Sequence, residues 1–183
     1  NTINFKIIDR KIIMSTTEIK LLKHPEGVIE EIELRNSHGS APVVWDIMAQ
    51  NYLGLPPFGY SFQTDKLWPL WKDLSIPEHQ RAVLGMTYDN AVIIKTDFAR
   101  AASDLKKFLQ DFPVNPEYEN HWPTILEVFE SNPDCDAIGF YWTSVSEDPF
   151  LGEYNEDTEE YEPMNWKNYW SMYNTLDKFK VKE

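Results

Sequence analysis

The chain has 183 residues, of which 30 are Asp or Glu and 17 are Lys or Arg, so its formal net charge is −13. This charge disfavours direct binding to nucleic acid, because such binding depends on cationic side chains that neutralise phosphates. An aromatic content of 14% argues against a disordered chain, and no apolar run approaches the roughly 20 residues of a membrane span.

The first 13 residues differ in composition from the rest. Residues 1–13 are rich in Asn, Ile, Lys and Phe, and the Met14-Ser15-Thr16 that follows looks like an ordinary start. We therefore expect residues 1–13 to be an N-terminal extension and residues 14–183 to form one globular domain, the natural prior for this length. A first strand over residues 4–8 is the alternative, and thermal stability after deletion of residues 1–13 would separate the two.

Alternating apolar residues predict a β-hairpin over residues 17–35. Ile19 and Leu21 alternate with polar residues along the first strand, and residues 24–27 (HPEG) have the composition of a turn. The alternation resumes on the return strand. This hairpin therefore supplies the first two strands of a sheet.

Helical periodicity and breaking residues divide the rest of the chain. After the hairpin we predict a helix over residues 40–52, an aromatic loop over 54–63 and two helices over 65–72 and 75–85. A strand over 91–95 and two helices over 96–112 and 120–131 follow. The chain then has a strand over 137–145, an acidic loop over 146–164 and a helix over 165–177. Phe98 and Leu105 belong to the strongest helical pattern. Ser75 and Glu78 are spaced as a capping box, in which each side chain satisfies a free backbone N–H.

Strands and helices neither alternate strictly nor segregate, so we predict an α+β fold. Its centre is a single mixed β-sheet of about four to five strands, with several amphipathic helices packed mainly on one face. The last predicted helix carries four aromatic residues at helical spacing, namely Trp166, Tyr169, Trp170 and Tyr173. We expect them to pack that helix onto the sheet; an exposed binding face is the alternative.

The negative charge is concentrated in residues 108–166. This segment holds 15 of the 30 acidic residues and no Lys or Arg, so it carries −15, while the other 15 acids and 17 bases leave +2 on the remainder. A segment of this kind can produce a strong negative potential that attracts a basic partner. Its most acidic part is residues 147–162, where three aromatic residues lie among the acids.

We predict that this part of the chain binds a partner protein. Its acidic side chains would contact Arg or Lys, and its two tyrosines would be apolar anchors. The predicted partner-binding residues are Glu147, Asp148, Glu153, Tyr154, Glu156, Asp157, Glu159, Glu160, Tyr161 and Glu162. A loop that only keeps the protein soluble is the alternative.

The sequence shows no motif for catalysis, metals or cofactors. Cys135 is the one cysteine, which excludes an internal disulfide and favours a reducing compartment, the cytoplasm. Asp134 and Asp136 on either side would disfavour its thiolate, so we expect a structural thiol. The four histidines lack ligand spacing, and the acidic residues lack the spacing of a calcium loop. We therefore predict no catalytic residue, no metal site and no cofactor. We favour a binding protein over an enzyme.

In length and charge the chain resembles the acidic anti-restriction and anti-CRISPR proteins of phages, and bacterial toxin-immunity proteins. The resemblance implies an inhibitor that mimics nucleic acid and occupies a basic surface of a partner, such as a nucleic-acid-binding enzyme. One alternative is a small-molecule-binding protein or enzyme with a cleft lined by aromatic and carboxylate side chains. Another is a structural adaptor held through the aromatic last helix. The oligomeric state is left open.

Overall fold

The computed structural model describes residues 15–144 and 147–180. The predicted N-terminal extension over residues 1–13, and the alternative strand over residues 4–8, lie outside this range. The described residues form an α+β fold with a five-stranded mixed sheet, a separate two-stranded sheet and six α-helices. The predicted fold class is therefore confirmed, and the small second sheet is an addition to it.

The five-stranded sheet has the order β2-β1-β4-β3-β7. Its strands are β1 (Thr16–Lys23), β2 (Gly27–Arg35), β3 (Ala91–Ile94), β4 (Ala137–Tyr141) and β7 (Trp170–Ser171). Neighbouring strands are antiparallel except β3 and β7, which are parallel. The predicted hairpin forms the β2 edge, and strands distant in sequence complete the sheet.

Six α-helices pack on one side of this sheet, which we call the first face. They are α1 (Ala41–Leu53), α2 (Thr64–Leu67), α3 (Glu78–Met86), α4 (Phe98–Asp111), α5 (Trp122–Glu130) and α6 (Met172–Leu176). Each helix contributes buried side chains to one main core, and so do Ile19, Leu21, Ile138 and Phe140 of the strands. Because strand side chains alternate between faces, Lys20, Leu22, Ala137 and Gly139 lie on the opposite, second face.

The last predicted helix, over residues 165–177, is wrong in its first half. Trp166–Asn168 form a single 3₁₀ turn, Tyr169 is extended with φ −83° and ψ 155°, and Trp170–Ser171 pair as β7 with β3. A helix begins only at Met172. Hydrogen bonding to the edge of the sheet therefore overrides the helical spacing of the aromatic residues, because it satisfies backbone groups that a helix would satisfy internally.

Other boundaries also differ from the prediction, and two of the differences have a bearing on the predicted elements. The strand predicted over residues 137–145 ends at Tyr141, and Val145 lies outside the described residues. Helix α3 begins at Glu78 rather than at Ser75, so the capping box does not form. Pro77 explains this difference, because a residue before proline is disfavoured in helical geometry. The hydroxyl of Ser75 instead donates to Asp73 at 2.7 Å.

Candidate functional site

Residues 147–166, which we call the acidic segment, cover the second face of the sheet. A small apolar cluster forms there from Leu22, Val92, Ala137, Phe150 and Trp166. Phe150 lies directly on Gly139, since a Cβ at position 139 would come within 2.2 Å of the ring. Phe150 and Trp166, which are 3% and 7% exposed, thus anchor both ends of the intervening acidic residues.

Residues 153–162, between these anchors, form a β-hairpin that we call the acidic hairpin. Strand β5 (Tyr154–Asn155) pairs with strand β6 (Glu160–Tyr161), and the backbone N–H of Glu162 donates to the carbonyl of Glu153 at 2.8 Å. The side chain of Asn155 accepts hydrogen bonds from the backbone of Asp157 and Thr158 and so stabilises the turn. The predicted acidic loop is therefore a structured ribbon.

Two tyrosines form the centre of the acidic hairpin. Tyr154 and Tyr161 are directly opposite each other across the strands, with their rings edge to face and 5.2 Å between centroids. Their exposed fractions are 53% and 54%. An aromatic pair of this kind stabilises a two-stranded ribbon and also offers a fixed, half-exposed apolar surface.

Six carboxylates surround these tyrosines and face solvent. They belong to Glu153, Glu156, Asp157, Glu159, Glu160 and Glu162. Among residues 15–144 and 147–180, no Lys, Arg or His lies within ion-pair distance of any of them. No three of them converge closely enough to hold a metal ion. The charges are therefore spread over the ribbon and left uncompensated.

Asp148 has a different environment from the other predicted partner-binding residues. Its side chain is 14% exposed and lies 2.9 Å from the ammonium of Lys20, and it accepts a hydrogen bond from the backbone of Phe150. Glu147, by contrast, is exposed. The structure thus brings together the eight predicted residues of the acidic hairpin, while Asp148 is drawn inward against the sheet.

Lys20 is a buried cation that the sequence analysis missed. Its side chain is 1% exposed and contacts carboxylates of Glu18, Glu31 and Asp148 at 2.5, 2.5 and 2.9 Å. Burial acts to lower the pKa of Lys20, but these three hydrogen-bonded carboxylates outweigh it and raise the pKa above its ordinary value. The three carboxylates are close enough to hold a metal ion, and the ammonium lies in that position.

Cys135 and two of the four histidines are held in place by burial or by contacts with neighbouring residues. Cys135 is 1% exposed, and burial raises the pKa of its thiol. Among the histidines, His79 contacts Asp111 at 2.5 Å and His121 contacts the backbone carbonyl of Asn36 at 3.0 Å. These contacts fix the positions of side chains without assembling a nucleophile beside a base.

The aromatic residues behind the adaptor hypothesis are largely internal. Trp166 is 7% exposed and Tyr173 is 1% exposed, and the hydroxyl of Tyr173 donates to buried Asp104 at 2.8 Å. Trp170 packs against Trp71 and Tyr88. These contacts support the packing role that was expected for the aromatic residues.

A second candidate site is a groove of about 650 Å³ beside α1, which we call the α1 groove. Its walls are α1, the aromatic loop over residues 54–63 and the loop over residues 112–120. The lining side chains that bear aromatic rings or charge include Asp46, Phe58, Tyr60, Tyr118 and Glu119. This composition matches the cleft that the small-molecule alternative requires.

Comparison with protein-family models, curated proteins and solved structures finds no match to this chain. No helix in the described residues has the length and apolar character needed to cross a membrane. The function must therefore be inferred from the surface of this molecule alone.

Proposed function

We propose that the protein is a non-enzymatic interaction protein that binds a basic surface of a partner protein through the acidic hairpin. We place it in the cytoplasm, as an inhibitor or immunity-type protein of phage or mobile-element origin. Its partner would be a basic protein such as a nucleic-acid-binding enzyme. The hairpin carboxylates would occupy positions that the partner otherwise fills with phosphates, so binding would block access by nucleic acid.

One observation carries this proposal: an exposed tyrosine pair surrounded by six uncompensated carboxylates on an anchored ribbon. A loop that only solubilises the protein needs neither the ribbon geometry nor half-exposed aromatic rings. Tyrosine is enriched among the residues that contribute most to protein interfaces. Carboxylates around such an anchor speed association with a basic surface and exclude acidic competitors.

The anchoring of the hairpin also supports recognition. Its two ends are held by Phe150 and Trp166 against the sheet, and a Cβ at Gly152 would overlap the carbonyl oxygen of Glu162 at 1.9 Å. Holding a binding element in one conformation reduces the entropy lost when a complex forms. The carboxylates therefore meet a partner in a fixed arrangement.

Affinity capture from a lysate of the producing cells, followed by mass spectrometry, tests the proposal. Three forms of the protein are compared: wild type, a hairpin variant with Glu156→Gln, Asp157→Asn, Glu159→Gln and Glu160→Gln, and a control variant. The control carries Asp65→Asn, Asp89→Asn, Glu127→Gln and Glu130→Gln. These four control carboxylates are exposed and lie on other elements, so both variants remove the same charge.

The proposal predicts a basic protein that wild type and the control variant capture and the hairpin variant does not. Purified partner should then bind nucleic acid or its substrate less well when the wild-type protein is added. Capture of the same proteins by all three forms would contradict the proposal.

A further inference from the structure

We propose that the α1 groove binds a small organic cation with a flat apolar body, of the arylamidine or arylguanidine class. This inference does not depend on the acidic hairpin. The groove volume of about 650 Å³ lies within the roughly 300–1,000 Å³ typical of small-molecule sites.

The first argument concerns aromatic side chains that are held open to solvent. Phe58 and Tyr118 stand on the two loops that border the groove, and their exposed fractions are 69% and 68%. Large aromatic side chains are usually buried. Two exposed rings on the loops that border the groove therefore offer aromatic surface to a flat ligand.

The second argument is the backbone conformation of Phe58. Its φ of 61° lies in the left-handed region, which is uncommon for residues other than glycine and costs free energy. The backbone N–H of Phe58 donates to Asp46 at 2.6 Å, which fixes this conformation. Strained residues of this kind concentrate at ligand sites because the surrounding structure has to maintain them.

The third argument is the charge of the groove. Asp46 and Glu119 are in its lining together with His38, and no Lys or Arg is. Within the described parts of the chain, the one Lys, Arg or His side chain within ion-pair distance of either carboxylate is His121, whose ring lies 3.8 Å from Glu119. Burial and the charge of Asp46 also raise the pKa of Tyr60, so its phenol stays neutral at pH 7. The lining thus carries two carboxylates and no permanently charged cation, so its charge favours a cationic ligand.

These features together select the chemistry of the ligand. A planar cation gains from aromatic faces through cation–π contact and from carboxylates through charge-assisted hydrogen bonds. An anionic ligand would be repelled by Asp46 and Glu119. A neutral apolar ligand would use the rings alone and would bind less tightly.

The test compares benzamidine with its neutral analogue benzamide in ¹H–¹⁵N NMR titrations of the full chain at physiological salt. We expect benzamidine to bind about tenfold more tightly, with shifts at Phe58, Tyr60 and Tyr118. Asp46→Asn should lower this preference about threefold, because one of the two groove carboxylates loses its charge, and it should leave benzamide binding unchanged. The control Asp65→Asn should retain the full preference. Phe58→Ala should weaken both probes, and benzamidine more than benzamide, because the cation also loses a cation–π contact.

The inference is overturned if the two probes bind equally, if Asp46→Asn keeps the full preference of wild type, or if the shifts centre on Tyr154 and Tyr161 instead. Should Asp46→Asn fail to fold, Glu119→Gln and its control Glu127→Gln carry the same test. Glu119→Gln should reduce the preference about threefold, and an unchanged preference in that variant overturns the inference.

Discussion

Lys20 shows how a single charge can organise one face of a sheet. It joins Glu18 of its own strand and Glu31 of the neighbouring strand to Asp148, which begins the covering acidic segment. A buried ion pair adds little net stability when compared with apolar packing in the same place. Removal of one partner, however, leaves the charges of the others uncompensated. Lys20 therefore matters mainly because three carboxylates meet around it.

Replacing Lys20 tests this compensation. Lys20→Met should lower the free energy of unfolding by about 3 kcal/mol or more, because three neighbouring carboxylates lose their counter-ion. Lys23→Met is the matched control, since Lys23 pairs with the 93% exposed carboxylate of Asp134 and should cost at most about 1 kcal/mol. Equal changes in urea unfolding for the two variants would contradict the assignment.

Some residue environments could be predicted from the sequence and others could not. The burial of Ile19 and Leu21 follows from alternation, which is a local property. Lys20, between them, looks like an ordinary solvent-facing strand residue, because nothing local indicates that Asp148 lies over it. The groove residues Asp46 and Glu119 are likewise 73 positions apart in the sequence, and only the fold brings them together.

Among the elements, the acidic segment depends on the contact between Phe150 and Gly139. Gly139→Ala should lower the free energy of unfolding by about 1–3 kcal/mol, because the added methyl group displaces the ring of Phe150. Phe150→Ala alone should cost about 3–5 kcal/mol. If the two residues act through this contact, Gly139→Ala should cost much less once Phe150 is Ala. Additive effects in urea unfolding would contradict the contact.

Arg100 links three helical elements of the first face. Its guanidinium contacts Glu78 at 2.7 Å and Asp177 at 2.8 Å. The hydrogen bond from Arg100 lowers the pKa of Asp177. Burial acts to raise the pKa of Glu78, but Arg100 and Lys180 outweigh it and lower that pKa too.

A lowered carboxylate pKa in the folded state stabilises the protein above the unfolded pKa of about 4 and ceases to do so as pH falls through the folded value. Arg100→Gln should therefore lower the free energy of unfolding by about 1 kcal/mol at pH 7. The change is small because both carboxylates are partly exposed. This difference should shrink at pH 2. A difference in urea unfolding that is equal at both pH values would contradict the ion-pair assignment.

The predicted and observed elements agree where local patterns decide the structure. The hairpin over residues 17–35 and the helix near 96–112 follow from alternation and helical spacing, and both form. Strand β7 and the acidic hairpin were not predicted, because their pairing depends on residues that have no strong local strand pattern. The carboxylate-rich composition of residues 153–162 indicated a loop, whereas the tyrosine pair and the anchored ends support a ribbon.

At the scale of the whole molecule, the charge distribution has a structural basis. Apolar residues at both ends of the acidic segment close the second face of the sheet, and the charged residues between them extend outward as the acidic hairpin. One carboxylate, Asp148, is balanced internally by Lys20. The six carboxylates of the acidic hairpin have no ion-pair partner among the described residues, so we propose recognition by the hairpin rather than by the whole acidic surface.

The most direct test is the affinity of the captured partner for wild type, the hairpin variant and the control variant at about 50 and 300 mM salt. Wild type and the control variant should both lose affinity as salt rises, because charge attraction is screened. The hairpin variant should bind at least about tenfold more weakly at low salt and respond less to added salt. Equal affinity and equal salt dependence for all three proteins would contradict recognition through the acidic hairpin.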